Sequence, residues 1–506
     1  MGIKTDSAGT TPGKVGPATR AVFLLTLLAW GTALGVRVWA GQGLPLWMDE
    51  TWTAMIAGQP DWMRFWREAW LDVNPPLYYA VMRVWTMAAG TSDVALRLPS
   101  ALFVLAAAAL PLFQRRTGLT RTSALCLSAL LILWRPGFDI SLDARGYGLL
   151  LLLSVAQMFA FAHLLDQPDR RPAALWAGCA SAAIVTHYFA LVPGAVQGMI
   201  LIWKCRGRVL HLWPAALPFV PAFAWLAIHA PRLADYARPD IAWYEPVTPK
   251  LAAGFLQYLV GPPGWWQLGL IGGAIVLTTA LSFGQTQKAA PATRALEATA
   301  AAGLVALILL LAIAVLRATL TDRYLVPIVP SVLLALVLVM QRFQKAALGQ
   351  ALLILVFLVP MASAQDLRDW LKEKTFYGFE EGAHFVMPYR VARLTFVWDH
   401  PAARILDATS LARLGGFFFN RAGQNVTTSA VILQPGEDGN RVLQQKAQGS
   451  AVIWIYNRAR ATAARSHPPD AVRWSGWTCQ HQRGPWVGIL ACVPVAKADG
   501  AAKVAP

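Results

Sequence analysis

The stretch that decides the fold runs from Arg20 to Trp52, RAVFLLTLLAWGTALGVRVWAGQGLPLWMDETW. Its first part, 21–40, is an apolar run of about 20 residues, the length at which a helix crosses the hydrocarbon core of a bilayer. Val38-Trp39-Ala40 loosely resembles a signal-peptidase site. The apolar run before it is too long for a secretory h-region, so it reads as an uncleaved anchor. Beyond it stand Trp47-Met48-Asp49-Glu50-Thr51-Trp52, an acidic pair framed by aromatic residues. The chain thus presents carboxylates on the far side of its first span.

Working outward, the pattern repeats. Of 506 residues, 56% are hydrophobic, only 14% are charged and 22 are tryptophan. Soluble globular chains approach a quarter charged. A soluble, disordered or nucleic-acid-binding protein is therefore disfavoured in spite of the formal net charge of +17. Apolar runs lie at 21–40, 97–113, 122–138, 147–165, 172–186, 188–203, 209–230, 265–283, 297–317, 324–340 and 347–363. The expected fold class is mainly α, a polytopic membrane protein with about eleven transmembrane helices. The apolar stretch Pro76–Gly90 is short and holds Arg83, so it is expected to be an interfacial or re-entrant helix.

The basic residues set the orientation, because cytoplasmic loops carry an excess of Lys and Arg. With Lys4, Lys14 and Arg20 placed in the cytoplasm, alternate loops carry Arg115, Arg116 and Arg121; Arg170 and Arg171; Lys204, Arg206 and Arg208; Lys288 and Arg294; Arg342 and Lys345. A full span at 76–90 would invert every later loop. The expected organisation is a cytoplasmic tail at 1–20, a transmembrane unit at 21–365 with its first external loop at 41–96, and an external domain at 366–506. The external segment has strand-like runs at Ala451–Tyr456 and Trp486–Val493, punctuated by Gly and Pro, which suits a small α/β or α+β domain.

Cys126 and Cys179 sit in apolar runs and Cys205 in a cytoplasmic loop. Cys479 and Cys492 flank an expected hairpin in an oxidising compartment and are a candidate disulfide. No Cys or His spacing reads as a metal cage. Asn425-Val426-Thr427 has the form of a glycosylation sequon, which in a bacterial chain reads as chance.

Ionisable groups near a membrane are costly and tend to be functional. Here they gather at the external ends of the runs: Asp49-Glu50; Asp72-Val73-Asn74-Pro75-Pro76-Leu77-Tyr78-Tyr79; Asp143-Ala144-Arg145-Gly146-Tyr147; Thr186-His187-Tyr188; and Asp322-Arg323-Tyr324. Each has a plainer reading. Asp49 suits a helix N-cap, Arg145 and Arg323 suit structural pairing with Asp143 and Asp322, and His187 suits a structural role. Trp47, Trp52, Trp62, Trp66 and Trp70 suit an interfacial belt. Asp49 and Glu50 are adjacent and point about 100° apart on a helix, so only one of them should face a substrate.

These residues, in this order, resemble the GT-C glycosyltransferases of the protein mannosyltransferase superfamily. The bacterial aminoarabinose transferases acting on lipid A are the nearest branch. The resemblance covers roughly 20–340 and includes Arg97-Leu98-Pro99-Ser100 and Arg145-Gly146-Tyr147. It implies a sugar donor carried on a polyprenyl phosphate, undecaprenyl phosphate in a bacterium, and Asp49 as catalytic base with Glu50 beside it. It implies Arg145 and Arg323 as binders of the lipid phosphate, supported by Tyr147 and Tyr324. Asn74, Tyr78, Tyr79, Asp143 and His187 are further candidates for substrate contact. Relatives often carry His or Lys where this chain has Asn74. The expected acceptor is lipid A, another glycolipid or polysaccharide, or a protein hydroxyl at the periplasmic face of the inner membrane.

The chemistry agrees. A glycosyl phosphate has a good leaving group, so the site needs cations for the departing phosphate and a base for the acceptor hydroxyl. Attack opposite the leaving group inverts the anomeric carbon, and neither metal nor other cofactor is required. A transporter or flippase of lipid-linked sugars is the alternative. Such proteins place polar groups near the bilayer midplane, whereas these cluster at one face.

Overall fold

The structure, a computed structural model, describes residues 16–114, 118–238, 244, 246–261, 265–282, 291–399, 407–433, 437, 441, 449–457, 476–484 and 487–494. Lys4, Lys14, Arg115, Arg116, Lys288 and Trp486, used above, lie outside the described residues.

The chain opens with α1 (Pro17–Ala40) and continues through the short helices α2 (Met48–Ala57), α3 (Trp62–Leu71) and α4 (Leu77–Ala89) into α5 (Asp93–Ala109). Local sequence sets these boundaries. Asp61 caps α3 by accepting the Arg64 N–H at 2.8 Å, Ser92 caps α5 by accepting the Ala95 N–H at 3.3 Å, and Gly90 ends α4 at φ 75°. Next come α6 (Arg121–Leu133), α7 (Pro136–Ser141), α8 (Tyr147–Asp166), α9 (Arg170–Ile184), α10 (Leu191–Cys205), α11 (Phe219–Tyr236), α12 (Pro249–Val260), α13 (Trp265–Leu281), α14 (Pro291–Leu316), α15 (Val329–Gln341), α16 (Ala346–Leu358) and α17 (Ala364–Thr375). The protein is mainly helical and is a multi-pass membrane protein.

Among the described residues six helical segments are long and apolar enough to cross a membrane: Pro17–Ala40, Asp93–Phe113, Tyr147–Asp166, Tyr188–Ala216, Ala292–Leu316 and Ala346–Thr375. A bent pair, α12 with α13, makes a seventh. The eleven expected runs do not each become a full-length span, and the reasons are local. Pro136 starts α7 directly after α6, and a 3-10 turn at Asp322–Leu325 precedes α15. Each of these thirteen-residue helices reaches about 20 Å at 1.5 Å per residue, short of a core of roughly 30 Å. The Tyr147–Asp166 segment is 78% buried and stands at the centre of the bundle, whereas α1 is 28% buried and turns Leu24, Leu27, Leu28 and Val38 outward.

After α17 the chain forms α18 (Phe379–Val386), β1 (Arg393–Asp399), α19 (Ala408–Arg421), β2 (Thr427–Ile432), β3 (Ala451–Asn457), β4 (Trp477–Arg483) and β5 (Val487–Pro494). The sheet order is β2-β1-β3-β5-β4. β1 runs parallel to β2 and β3, while β5 is antiparallel to β3 and β4. This is a small C-terminal sheet domain of mixed type. Cys479 and Cys492 face each other across β4 and β5 and are joined as a disulfide. One face of the sheet shares a core with the first loop: Phe396, Trp398, Leu414 and Phe379 pack in the same cluster as Leu46, Ile56, Phe65 and Met82. That shared core brings the two ends of the chain together around Asp49.

Candidate active site

The loop 41–47 leads into α2, whose first turn carries the acidic pair. Glu50 folds back to accept the Trp47 N–H at 3.2 Å. Its carboxylate is wholly buried. Arg97, brought across by α5, meets it with Nε–Oε1 at 2.7 Å and Nη2–Oε2 at 2.5 Å, and the Ala144 N–H donates to Oε1 at 2.8 Å. Burial pushes the Glu50 carboxyl upward, and Arg97 opposes it. Arg97 also donates to the carbonyls of Leu44 and Pro45 at 2.7 and 2.8 Å. Every oxygen lone pair of Glu50 is committed to holding the loop.

Asp49 is different. It is not the cap of α2, since Trp47 occupies that position. Its carboxylate lies 3.7 Å from Arg145 Nη2 and 3.7 Å from Arg323 Nη1, and is 19% exposed. Charge-assisted N–H···O bonds are about 2.7–2.9 Å long, so neither guanidinium is drawn tightly onto Asp49. The two arginines therefore do not use Asp143 and Asp322 as their ion-pair partners, contrary to the plainer sequence reading. Burial works against both arginine charges. For Arg145 the anions of Asp49 and Asp72 and the phenols of Tyr79 and Tyr147 outweigh it, and for Arg323 those of Tyr147, Asp49 and Tyr324 do, so both pKa values lie above the ordinary range.

Asp143 serves another purpose. Its Oδ1 accepts the Trp47 indole N–H at 3.0 Å and its Oδ2 meets Lys374 Nζ at 3.3 Å. Lys374, from α17, also meets Asp139 at 2.5 Å. Trp47 is only 6% exposed, so it belongs to the site and not to an aromatic belt. Trp62 and Trp66 remain exposed at 46% and 44%. Tyr78 binds Ser100 at 2.9 Å, and Ser100 donates to the Arg145 carbonyl at 3.2 Å. Tyr79 donates to Asp72 at 3.0 Å, and the same oxygen accepts both the backbone and side-chain N–H of Asn74.

A cavity of about 470 Å³ opens beside these groups, walled by Asn74, Pro75, His187, Phe189, Tyr244 and Tyr324 among others. A smaller pocket lined by Arg145, Tyr78, Tyr79 and Tyr147 shares Asn74, Pro75 and His187 with it. His187 lies against Tyr324 (ring centroids 4.6 Å) and Tyr147 (5.5 Å). Its Nδ1 is buried without a hydrogen-bond partner. Burial, then repulsion from Arg323 and Arg145, pushes its pKa down to about 3, so it stays a neutral imidazole. Tyr244 bonds Tyr324 at 3.1 Å. Among the described residues no group of three or more His, Cys, Asp or Glu side chains is placed to hold a metal ion.

The sequence reading missed Lys374, Tyr244 and the Arg97–Glu50 pair. Arg97 stood within a quoted motif, but nothing in its spacing showed its partner.

The molecule's architecture matches solved structures along nearly its whole length. The crystal structure of ArnT from Cupriavidus metallidurans in the apo state superposes with a TM-score of 0.54 at 15% identity, covering 93% of this chain and 98% of that one. The chain has the fold of ArnT. The structure of the same protein bound to undecaprenyl phosphate gives a TM-score of 0.53 at 14% identity, covering 92% of this chain and 97% of that one. A scan of protein-family models and a search of curated proteins by sequence both give no match. In this chain the first turn of α2, the α7–α8 turn and the Asp322–Leu325 turn come together and deliver Asp49, Arg145 and Arg323 to one point.

Proposed function

We propose that the chain is an inverting glycosyltransferase that moves a sugar from a polyprenyl phosphate, undecaprenyl phosphate in a bacterium, to a hydroxyl at the periplasmic face of the inner membrane. One observation carries this reading: a single carboxylate, Asp49, stands between two guanidiniums at 3.7 Å each, beside an aromatic-walled cavity. Two cations against one anion leave a net positive charge for a phosphate, and Arg's fork of donors suits phosphate oxygens. The fold shared with a protein solved with undecaprenyl phosphate adds to this.

In the reaction, the acceptor oxygen forms a bond to the anomeric carbon as the bond from that carbon to the phosphate oxygen breaks. The electron pair of the broken bond passes to the phosphate, where Arg145 and Arg323 stabilise it. Asp49 takes the hydroxyl proton. His187, neutral at working pH, offers its unpartnered Nδ1 to the sugar or phosphate. Asn74, Tyr78, Tyr79, Tyr147 and Tyr324 line the two cavities. Glu50 and Asp143 act by holding the loop and Trp47. The basic loops argue for an external site and an external domain at 366–506 following a transmembrane unit at 21–365. The acceptor class is lipid A, a glycolipid, a polysaccharide or a protein hydroxyl.

The test uses reconstituted protein and a labelled polyprenyl-phosphate sugar supplied with envelope lipid and protein fractions. Wild type should label one fraction, and Asp49→Asn should lose about 10²–10⁴-fold in turnover. Undiminished transfer by Asp49→Asn removes Asp49 as base. Lipid scrambling without transfer would assign the molecule to transport.

A further inference from the structure

The loop that carries Asp49 is fastened by residues from the opposite end of the chain. The Leu46 N–H donates to Glu380 Oε2 at 2.7 Å across 334 positions. Glu380 is buried, and its second oxygen accepts Arg421 Nη2 at 3.0 Å, whose Nη1 meets Asp93 at 2.5 Å. One residue further on, Trp47 is held at its edge and over its ring. Its indole N–H donates to Asp143, Asp143 is bound by Lys374, and the Lys374 ammonium lies 4.9 Å from the Trp47 ring centroid. Arg323, one of the two cations at Asp49, lies 5.6 Å from the same ring. Tyr377 packs on it with ring centroids 6.0 Å apart.

We propose that Lys374 and Glu380 are positioning residues for the transfer reaction, which makes the segment 364–386 part of the scaffold of the active site. The proposal rests on the functional reading above, because it assigns Asp49 a task that needs fixed geometry. Lys374 is the ion-pair partner of both Asp139 and Asp143. Without it Asp139 in α7 and Asp143 in the turn that carries Arg145 are left as an acidic pair, where they compete with Asp49 for the arginines. Trp47 then loses the nearer of its two cations and the firm acceptor for its indole. Without Glu380 the Leu46 N–H is left buried and unpaired, and the chain three residues before Asp49 is loosened. A displacement of about 1 Å in a reacting group can cost on the order of 10²-fold in rate. The shared apolar core between the first loop and the sheet keeps the two ends together, while these polar contacts set the final placement.

The experiment compares full-length wild type, Lys374→Met, Lys374→Arg, Glu380→Leu and the double variant Lys374→Met/Asp143→Asn in proteoliposomes. Two readouts are used: steady-state transfer from a labelled polyprenyl-phosphate sugar, and hydrogen–deuterium exchange of the peptide spanning 44–53. Lys374→Met and Glu380→Leu should lower kcat about 10–100-fold with donor KM within about threefold. Lys374→Arg should restore most of the rate, and the double variant should be no slower than Lys374→Met. Exchange at 44–53 should rise in Lys374→Met and Glu380→Leu while exchange in Tyr147–Asp166 stays as in wild type. Unchanged kcat with unchanged exchange at 44–53 overturns the proposal, and so does exchange that rises throughout the bundle. If wild type itself transfers nothing, the functional reading fails, and exchange at 44–53 alone still decides whether these residues hold the loop.

Discussion

Glu50→Gln is a single-atom change that separates a holding role from a chemical one. In the native site each carboxylate oxygen takes two donors: Oε1 accepts Arg97 Nε and the Ala144 N–H, while Oε2 accepts Arg97 Nη2 and the Trp47 N–H. A glutamine amide has one oxygen and one NH₂ group, so in either orientation its NH₂ meets two donors. The charge is lost as well, which leaves Arg97 buried with carbonyl partners alone. Breaking a buried ion pair by removing one partner costs about 3–5 kcal/mol. At roughly 2 °C per kcal/mol for a large cooperative unit, the midpoint should fall on the order of 5–10 °C. The assay is thermal unfolding in detergent for Glu50→Gln, Arg97→Met and the double variant Glu50→Met/Arg97→Met. Replacing both partners removes the uncompensated charge, so the double variant should be more stable than either single. Glu50→Gln should also keep measurable transfer at low temperature, where the fold persists. A midpoint within 1–2 °C of wild type for Glu50→Gln, together with complete loss of transfer, would refute the holding role and return Glu50 to the chemistry.

Three further outcomes follow from the geometry. His187, pushed down to about 3 by burial and two arginines, keeps its charge state between pH 5 and 9. His187→Asn should therefore slow transfer by the same factor at every pH in that range, measured as a kcat profile. By linkage, the folded state resists a proton that the unfolded chain accepts near 6.5, so this residue should make stability fall as pH drops below that value. Glu381, in α18, is raised to about 7 mainly by burial, and its Oε2 accepts the Gly378 N–H at 3.0 Å. Its native state binds the proton more tightly than the unfolded chain does, so its contribution to stability is full below about 4.5 and is lost as pH rises to about 7. Glu381→Gln should flatten the midpoint-versus-pH curve across that window. At Gly148 a Cβ would stand 2.7 Å from the Ser100 carbonyl oxygen and 3.1 Å from its Cα. Gly148→Ala should therefore push α8 from α5, lower the unfolding midpoint, and weaken transfer through the Ser100 bond to Arg145.

How far the sequence could be read depends on the range of the interactions involved. A span is written in consecutive residues, so α1 and α8 announce themselves by length and apolarity. The expected orientation rests on the basic residues of alternate loops, such as Arg170 and Arg171. Breaks inside a run are also local, but their effect is not: Pro136 and the 3-10 turn before α15 shorten helices that composition alone counts as spans. Asp49, Arg145 and Arg323 were recognisable as a set because the topology expected from the sequence puts the run ends that carry them on one face. That argument gives a face and stops short of distance. Whether Arg145 turns to Asp143, two residues away, or to Asp49, in a different element, depends on which carboxylate is already taken. Asp143 is taken by Trp47 and Lys374. Lys374 reaches it across 231 positions from a segment with no motif, and no period, cap or charge run in the sequence points to that meeting. The same holds for Glu50, whose partner Arg97 is presented by a helix crossing that only the packed bundle determines. The residues nearest the proposed chemistry are thus the ones whose type and position were legible, and the residues that aim them were not. Their signal lies in the pairing of distant elements, and a single sequence records those elements without recording the pairs.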